Sequence, residues 1–235
     1  MRIVVSAPRK SGGAHLRCLL SMAYDLKAPS VSAPQSDVAG AISEWLSNLP
    51  DRSVSTCDLP YAVLATAAAD ADVRLIGVIR HPFDLFVSNF DVAQQRAARG
   101  REDTEGDRPW SILAGQELDG DVTREYATGG FGDEIATLRD WAAAGVAVRY
   151  EDLLRDPASA LRALAGSLGT LSDDQVEHAT VLCPAENVVL SRPGRGRRMP
   201  SLPPGAWRDR LPDLLLQTLR EKYGGDVTAL GYESS

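Results

Sequence analysis

Near its start the chain sets Lys10 directly ahead of Ser11, Gly12 and Gly13, behind the apolar run Ile3-Val4-Val5 and in front of a stretch with helical spacing. A basic side chain at the entrance to a helix is anion chemistry. Free backbone N–H groups and the positive end of the helix dipole face a bound phosphate or sulfate, Lys10 adds a full charge, and the glycines let the main chain come close. The same residues also fit a tight turn with a solvated lysine, and this segment alone leaves both readings open. Arg80 is the second candidate, ending the apolar run Val73-Arg74-Leu75-Ile76-Gly77-Val78-Ile79 and followed by His81-Pro82. A kinase or ATPase needs an acidic residue at the end of a neighbouring strand to hold Mg²⁺. Here an arginine stands there, and no glycine immediately precedes Lys10. Lysine plus arginine without that carboxylate suits an anion bound without metal, which weighs against a small-molecule or nucleotide kinase. A third basic group, Arg192, Arg195, Arg197 and Arg198, crowds one short loop and makes a local anion site in a chain whose net charge is −7.

The elements that must position these residues follow from periodicity. Residues 2–6 read as a buried strand, 9–13 as a turn, and 14–26 as a helix from the spacing of Leu16, Leu19, Leu20, Ala23 and Tyr24. Further strands are expected over 54–59, 73–79 and 146–150, and further helices over 41–49, 83–98, 132–144, 157–168 and 211–222. Ser172-Asp173-Asp174-Gln175 has the form of a capping box opening one more helix. Residues 28–40 and 191–206 read as loops, and 99–121, charged and Gly-rich, as a mobile surface excursion. Strands alternating with helices predict an α/β fold: a mostly parallel central sheet flanked by helices. At 235 residues a single domain over 1–235 is the expectation.

Composition bounds the function classes. Hydrophobic residues at 44% and charged residues at 24% describe an ordinary globular chain. The negative net charge offers no general attraction for nucleic acid or an anionic membrane. No stretch approaches the roughly 20 apolar residues of a membrane span. The three cysteines, Cys18, Cys57 and Cys183, are widely separated and lack metal-ligand spacing, so free thiols in a reducing compartment, the cytoplasm, are expected.

Four segments in order make the pattern specific: Pro8-Arg9-Lys10-Ser11-Gly12-Gly13; Ile79-Arg80-His81-Pro82 with Ser88; Arg149-Tyr150-Glu151-Asp152-Leu153; and Gly205-Ala206-Trp207-Arg208. Together they resemble the PAPS-dependent sulfotransferases, over nearly the whole chain. The resemblance implies the P-loop-NTPase-like sulfotransferase fold and metal-independent, in-line transfer of a sulfuryl group from 3′-phosphoadenosine 5′-phosphosulfate (PAPS) to a hydroxyl of a small molecule, leaving PAP. It implies that Lys10, Ser11, Gly12 and Gly13 cradle the 5′-phosphosulfate, with Lys10 neutralising the leaving oxygen and Arg9 and Ala14 beside them among the cofactor-binding residues. Arg80 and Ser88 would hold the 3′-phosphate, Tyr150 would contact the adenine, and Arg195, Gly196, Arg197 and Arg198 would close over the nucleotide. Where the family carries an aromatic side chain to stack on adenine, this chain has His15, and the hydroxyls that follow the family's loop glycine are replaced by Gly13 and Ala14. In place of a histidine base, Thr56-Cys57-Asp58-Leu59-Pro60 offers Asp58. Loops 28–40 and 99–131 would face the acceptor. On the residues themselves, Tyr150 equally fits core packing and Arg80 a helix-flanking charge. A PAP-binding protein without catalysis is the other reading that the altered base segment leaves open.

Overall fold

The computed structural model describes residues 1–29, 33–34, 38–98, 109–184 and 202–233. The stretch expected as one domain contains two compact units, residues 1–79 with 140–198 and residues 80–139 with 199–235.

The first unit is built on four parallel strands: β1 (Arg2–Ser6), β2 (Ser53–Cys57), β3 (Arg74–Ile79) and β4 (Ala147–Arg149), in the order β2-β1-β3-β4. Ser6 lies in register with Cys57 on one side and with Gly77 on the other, and Ile79 with Arg149. Ile3, Val4 and Val5 have no exposed surface, as a central parallel strand covered on both faces requires. The covering helices are α1 (Gly13–Ala23), α2 (Ala39–Ser47), α3 (Tyr61–Ala67), α7 (Tyr150–Arg155), α8 (Pro157–Leu168) and α9 (Asp173–Leu182). Leu16, Leu19, Leu20 and Ala23 bury one stripe of α1 in a core shared with Val54, Val78, Leu161 and Val176. The capping box of α9 forms: the Ser172 hydroxyl accepts from the Gln175 N–H, and the Gln175 side chain accepts from the Ser172 N–H.

The expected free thiols need correction. Cys18 on α1 and Cys183, the residue that caps α9, form a disulfide with 5.9 Å between their Cα atoms. Spacing along the chain hides the pair, because 165 residues separate the two and only the packing of α1 on α9 brings them together. Cys57 alone is a free thiol.

The second unit is helical. It holds α4 (Pro82–Ala98), a 3₁₀ turn (Pro109–Leu113), α5 (Asp121–Thr128), α10 (Trp207–Arg210) and α11 (Asp213–Ala229), and α6 (Phe131–Ala143) starts in it. Its core is aromatic, with Phe86 edge-on to Phe131 at 5.1 Å between centroids and Phe131 edge-on to Tyr223 at 5.6 Å. The surface excursion expected over 99–121 is packed where it is described. Trp110 and Leu113 are buried, the Arg96 guanidinium covers the Trp110 ring, and Gln94 donates to the Leu113 and Gln116 carbonyls at 2.8 Å. Two apolar anchors suffice where periodicity is absent, so a pattern search misses them. Among the described residues no helix is long and apolar enough to cross a membrane.

Candidate active site

Pro8 to Gly12 leave the carboxyl end of β1 and turn into α1. Ser11 N–H bonds back to the Pro8 carbonyl at 3.1 Å, and two residues take left-handed backbone, Lys10 at φ 69 and Gly12 at φ 92. Lys10 and Arg9 are half-exposed, whereas Ser11 is wholly buried, and its hydroxyl has no hydrogen-bond partner among the described residues. The helix that follows has no side-chain cap and no acidic residue in its first turn, in contrast to α8, capped by Asp156, and α9, capped by Ser172. The first-turn N–H groups of a helix have no intrahelical acceptor. A half-exposed lysine, a buried unpartnered hydroxyl and a helix start without a side-chain cap are the ingredients that an anion cradle needs.

Gly12 and Tyr150 belong together. A Cβ on Gly12 would lie 2.3 Å from Tyr150 Cδ2, so the Cδ2–Cε2 edge of the ring packs directly against the loop. Tyr150 is the first residue of α7 and not the last of a strand, and it sits buried in the core cluster. The glycine is thus required by the ring as well as by its backbone angle. Gly12→Ala is expected to destabilise the protein by about 1–3 kcal/mol, from left-handed strain and displacement of the ring. Urea unfolding measures this, and an unchanged midpoint would show that loop and ring are not interlocked. His15 is buried with Nε2 2.9 Å from the Cys183 carbonyl, so this ring is tied to the end of α9.

Asp58 follows β2, and parallel pairing puts it on the same carboxyl edge of the sheet as the loop after β1. That is the edge where open α/β sheets bind ligands. Asp58 itself is half-buried. Its neighbours are held firmly: Ala7 N–H donates to the Cys57 carbonyl at 3.1 Å, and the Leu59 carbonyl accepts from Ser6 Oγ at 2.6 Å and from Trp141 Nε1 at 3.0 Å. Burial pushes the Cys57 thiol up to about 11, so beside Asp58 it stays a neutral S–H near neutrality and is no rival base.

In the second unit Arg80, which directly follows β3 in the chain, has no exposed surface. Its guanidinium donates to Ser88 Oγ at 2.9 Å and to the Leu202 carbonyl at 3.1 Å. The sequence pairing of Arg80 with Ser88 is therefore a contact. His81 is structural. Its Nδ1 accepts from the Phe83 N–H, its Nε2 lies 3.0 Å from the Glu233 carbonyl, and its ring stacks on Trp207 at 5.2 Å. Pattern reading missed Asp84, a wholly buried carboxylate that accepts from the Gly205 N–H at 2.7 Å and the Trp207 N–H at 3.1 Å. It is the reason the Gly205-Ala206-Trp207-Arg208 turn holds its shape. Arg195, Gly196, Arg197 and Arg198 lie outside the described residues.

No protein-family model matches the sequence, and no curated protein does. Solved structures do. A mouse sulfotransferase complexed with PAP superposes with a TM-score of 0.63 at 15% identity, covering 100% of this chain and 89% of that one. The chain has the sulfotransferase fold. A retinol dehydratase in complex with androsterone and the inactive cofactor PAP gives a TM-score of 0.59 at 14% identity, over 97% of this chain and 81% of the other. The sulfotransferase domain of the curacin biosynthetic pathway gives 0.52 at 14%, over 99% and 98%. At such identities the sulfotransferase fold is held by burial pattern and strand order rather than by shared residues.

Proposed function

We propose that the protein transfers the sulfuryl group of PAPS to a hydroxyl of a small molecule. The Arg80–Ser88 pair carries this reading: a wholly buried forked cation bonded to a helix hydroxyl, at the strand end where a kinase would need a carboxylate. The fold adds support, since the mouse sulfotransferase and the retinol dehydratase that share it are complexed with PAP, the latter also with the small molecule androsterone. In the first unit, the buried hydroxyl of Ser11 and the uncapped start of α1 suit an anionic group as well.

Bound PAPS would bring a sulfuryl group activated on its 5′-phosphate. In this reading Arg9, Lys10, Ser11 and the main chain of Gly12, Gly13 and Ala14 hold that phosphosulfate, and Lys10 balances the charge gained by the leaving oxygen. Asp58 takes the proton of the acceptor hydroxyl. Arg80 and Ser88 hold the 3′-phosphate, joined by Arg195, Arg197 and Arg198. Tyr150 backs the phosphate loop beside the adenine, with His15 at the helix entrance. A cytoplasmic setting belongs to the same proposal and has to coexist with the Cys18–Cys183 bridge, which a reducing thiol pool opposes.

A thermal shift with PAP, ATP and ATP–Mg²⁺ side by side tests the assignment. PAP at 100 times its dissociation constant should add about 2.7 kcal/mol of stability, roughly 5–10 °C in Tm for a chain of this size. ATP, lacking the 3′-phosphate, should add far less, and an equal or larger shift with ATP–Mg²⁺ would replace this reading by a kinase.

A further inference from the structure

We infer that Trp141 and Ser6 are positioning residues for Asp58, acting through the one carbonyl they share. The inference rests on the sulfuryl-transfer reading above and names what holds its base in place. Leu59 O, one residue beyond Asp58, accepts two hydrogen bonds, from Ser6 Oγ at 2.6 Å at the end of β1 and from Trp141 Nε1 at 3.0 Å in the last turn of α6. Both donors are wholly buried, so neither bond competes with water.

The indole is itself fixed on two sides, and the residue before it is tied to the chain as well. It lies on β3 where Gly77 leaves room, a Cβ there falling 2.4 Å from Trp141 Cε3. Tyr61 meets it edge-on at 5.2 Å between centroids, and the adjacent Asp140 accepts from the Ala62 N–H at 2.8 Å. The segment from Asp58 to Ala62 is thereby gripped at its second residue by two side chains and at its last by a third. Ser6 stands at the foot of the Pro8–Gly12 loop, so one hydroxyl ties the strand that carries the donor loop to the segment that carries the base. A proton acceptor held at a set distance from the donor loop is worth rate, because small misplacements cost large factors. Gly77, Ser6 and Trp141 make that distance a property of the sheet.

Trp141→Phe removes the N–H together with part of the ring and so leaves a small cavity beside Gly77 and Tyr61, whereas Ser6→Ala removes only the hydroxyl and is the cleaner of the two. With ³⁵S-PAPS and the fastest acceptor from a panel of phenols, primary alcohols and sugars, each variant should lower kcat by roughly 5- to 30-fold and leave the KM for PAPS unchanged. In an Asp58→Asn background the same changes should cost less than about twofold, since a base that no longer works cannot be mispositioned. Equal losses in both backgrounds would reduce the pair to general stability and overturn the inference. A second arm needs no acceptor. Amide exchange at residues 57–62 should rise in both variants while the rest of the sheet keeps its protection, and unchanged exchange there overturns the clamp. A wild-type protein that turns over no acceptor would sink the sulfotransferase reading instead, leaving the exchange arm to decide the clamp by itself.

Discussion

Asp58→Asn is expected to slow sulfuryl transfer by roughly 10²–10⁴, the contribution of a positioned general base, with PAP affinity nearly unchanged. The substitution preserves size and polarity but removes the ability to take the acceptor proton. The donor loop would be untouched, because it leaves a different strand, and the Ser6 and Trp141 bonds to Leu59 use a main-chain oxygen that the substitution does not alter. Asp58→Ala should be as slow, and added formate should recover part of its rate by standing in for the missing carboxylate. Near-wild-type turnover of Asp58→Asn would remove this residue from the mechanism. His81 could not then take over, since both its ring nitrogens are engaged by the chain of its own unit.

Lys10→Ala should reduce the transfer rate by about 10²–10³, the usual consequence of losing one preorganised charge at the atom where negative charge develops, while PAP binding falls much less. The reason is the timing of the charge: the bridging oxygen gains electrons only as the S–O bond breaks, so an ammonium beside it helps the transition state more than the bound state. Backbone strain does not confuse the comparison. Lys10 already sits at φ 69, and alanine meets the same left-handed penalty. Single-turnover transfer and calorimetric PAP affinity, measured on the same preparations, separate the two effects. Parallel loss of both would make Lys10 a binding residue only.

The strands and the Pro8–Gly12 turn into α1 were legible in the sequence because each carries a strong local signal. β1 and β3 are unbroken apolar runs, and Pro157–Leu168 and the Ser172 capping box emerge with the boundaries expected. The pairing of Arg80 with Ser88 was legible too, through the resemblance rather than through spacing. Features that depend on distant residues stayed hidden. The disulfide needs α1 against α9, Asp84 needs the turn at Gly205, and Tyr150 reads as a strand end until its ring is seen on Gly12. A further hidden contact had a signal that passed unused. A glycine inside an apolar strand marks close approach by something bulky, and at Gly77 that something is the Trp141 indole. Short helices such as Tyr61–Ala67 and Asp121–Thr128 escaped because seven or eight residues hold too few turns for a periodic stripe.

The bridge between Cys18 and Cys183 closes the backbone into a covalent ring that takes in β2, β3, β4 and the whole stretch 80–139, and leaves β1 and the Lys10 loop on a tail outside it. A protease that cuts the ring once releases nothing. The severed chain keeps its full mass and its two pieces until a thiol parts them, and the tail that carries Lys10 remains attached to both. The protein can therefore be nicked without losing any part of itself, and the redox state of its surroundings, rather than the cut, decides when the pieces separate.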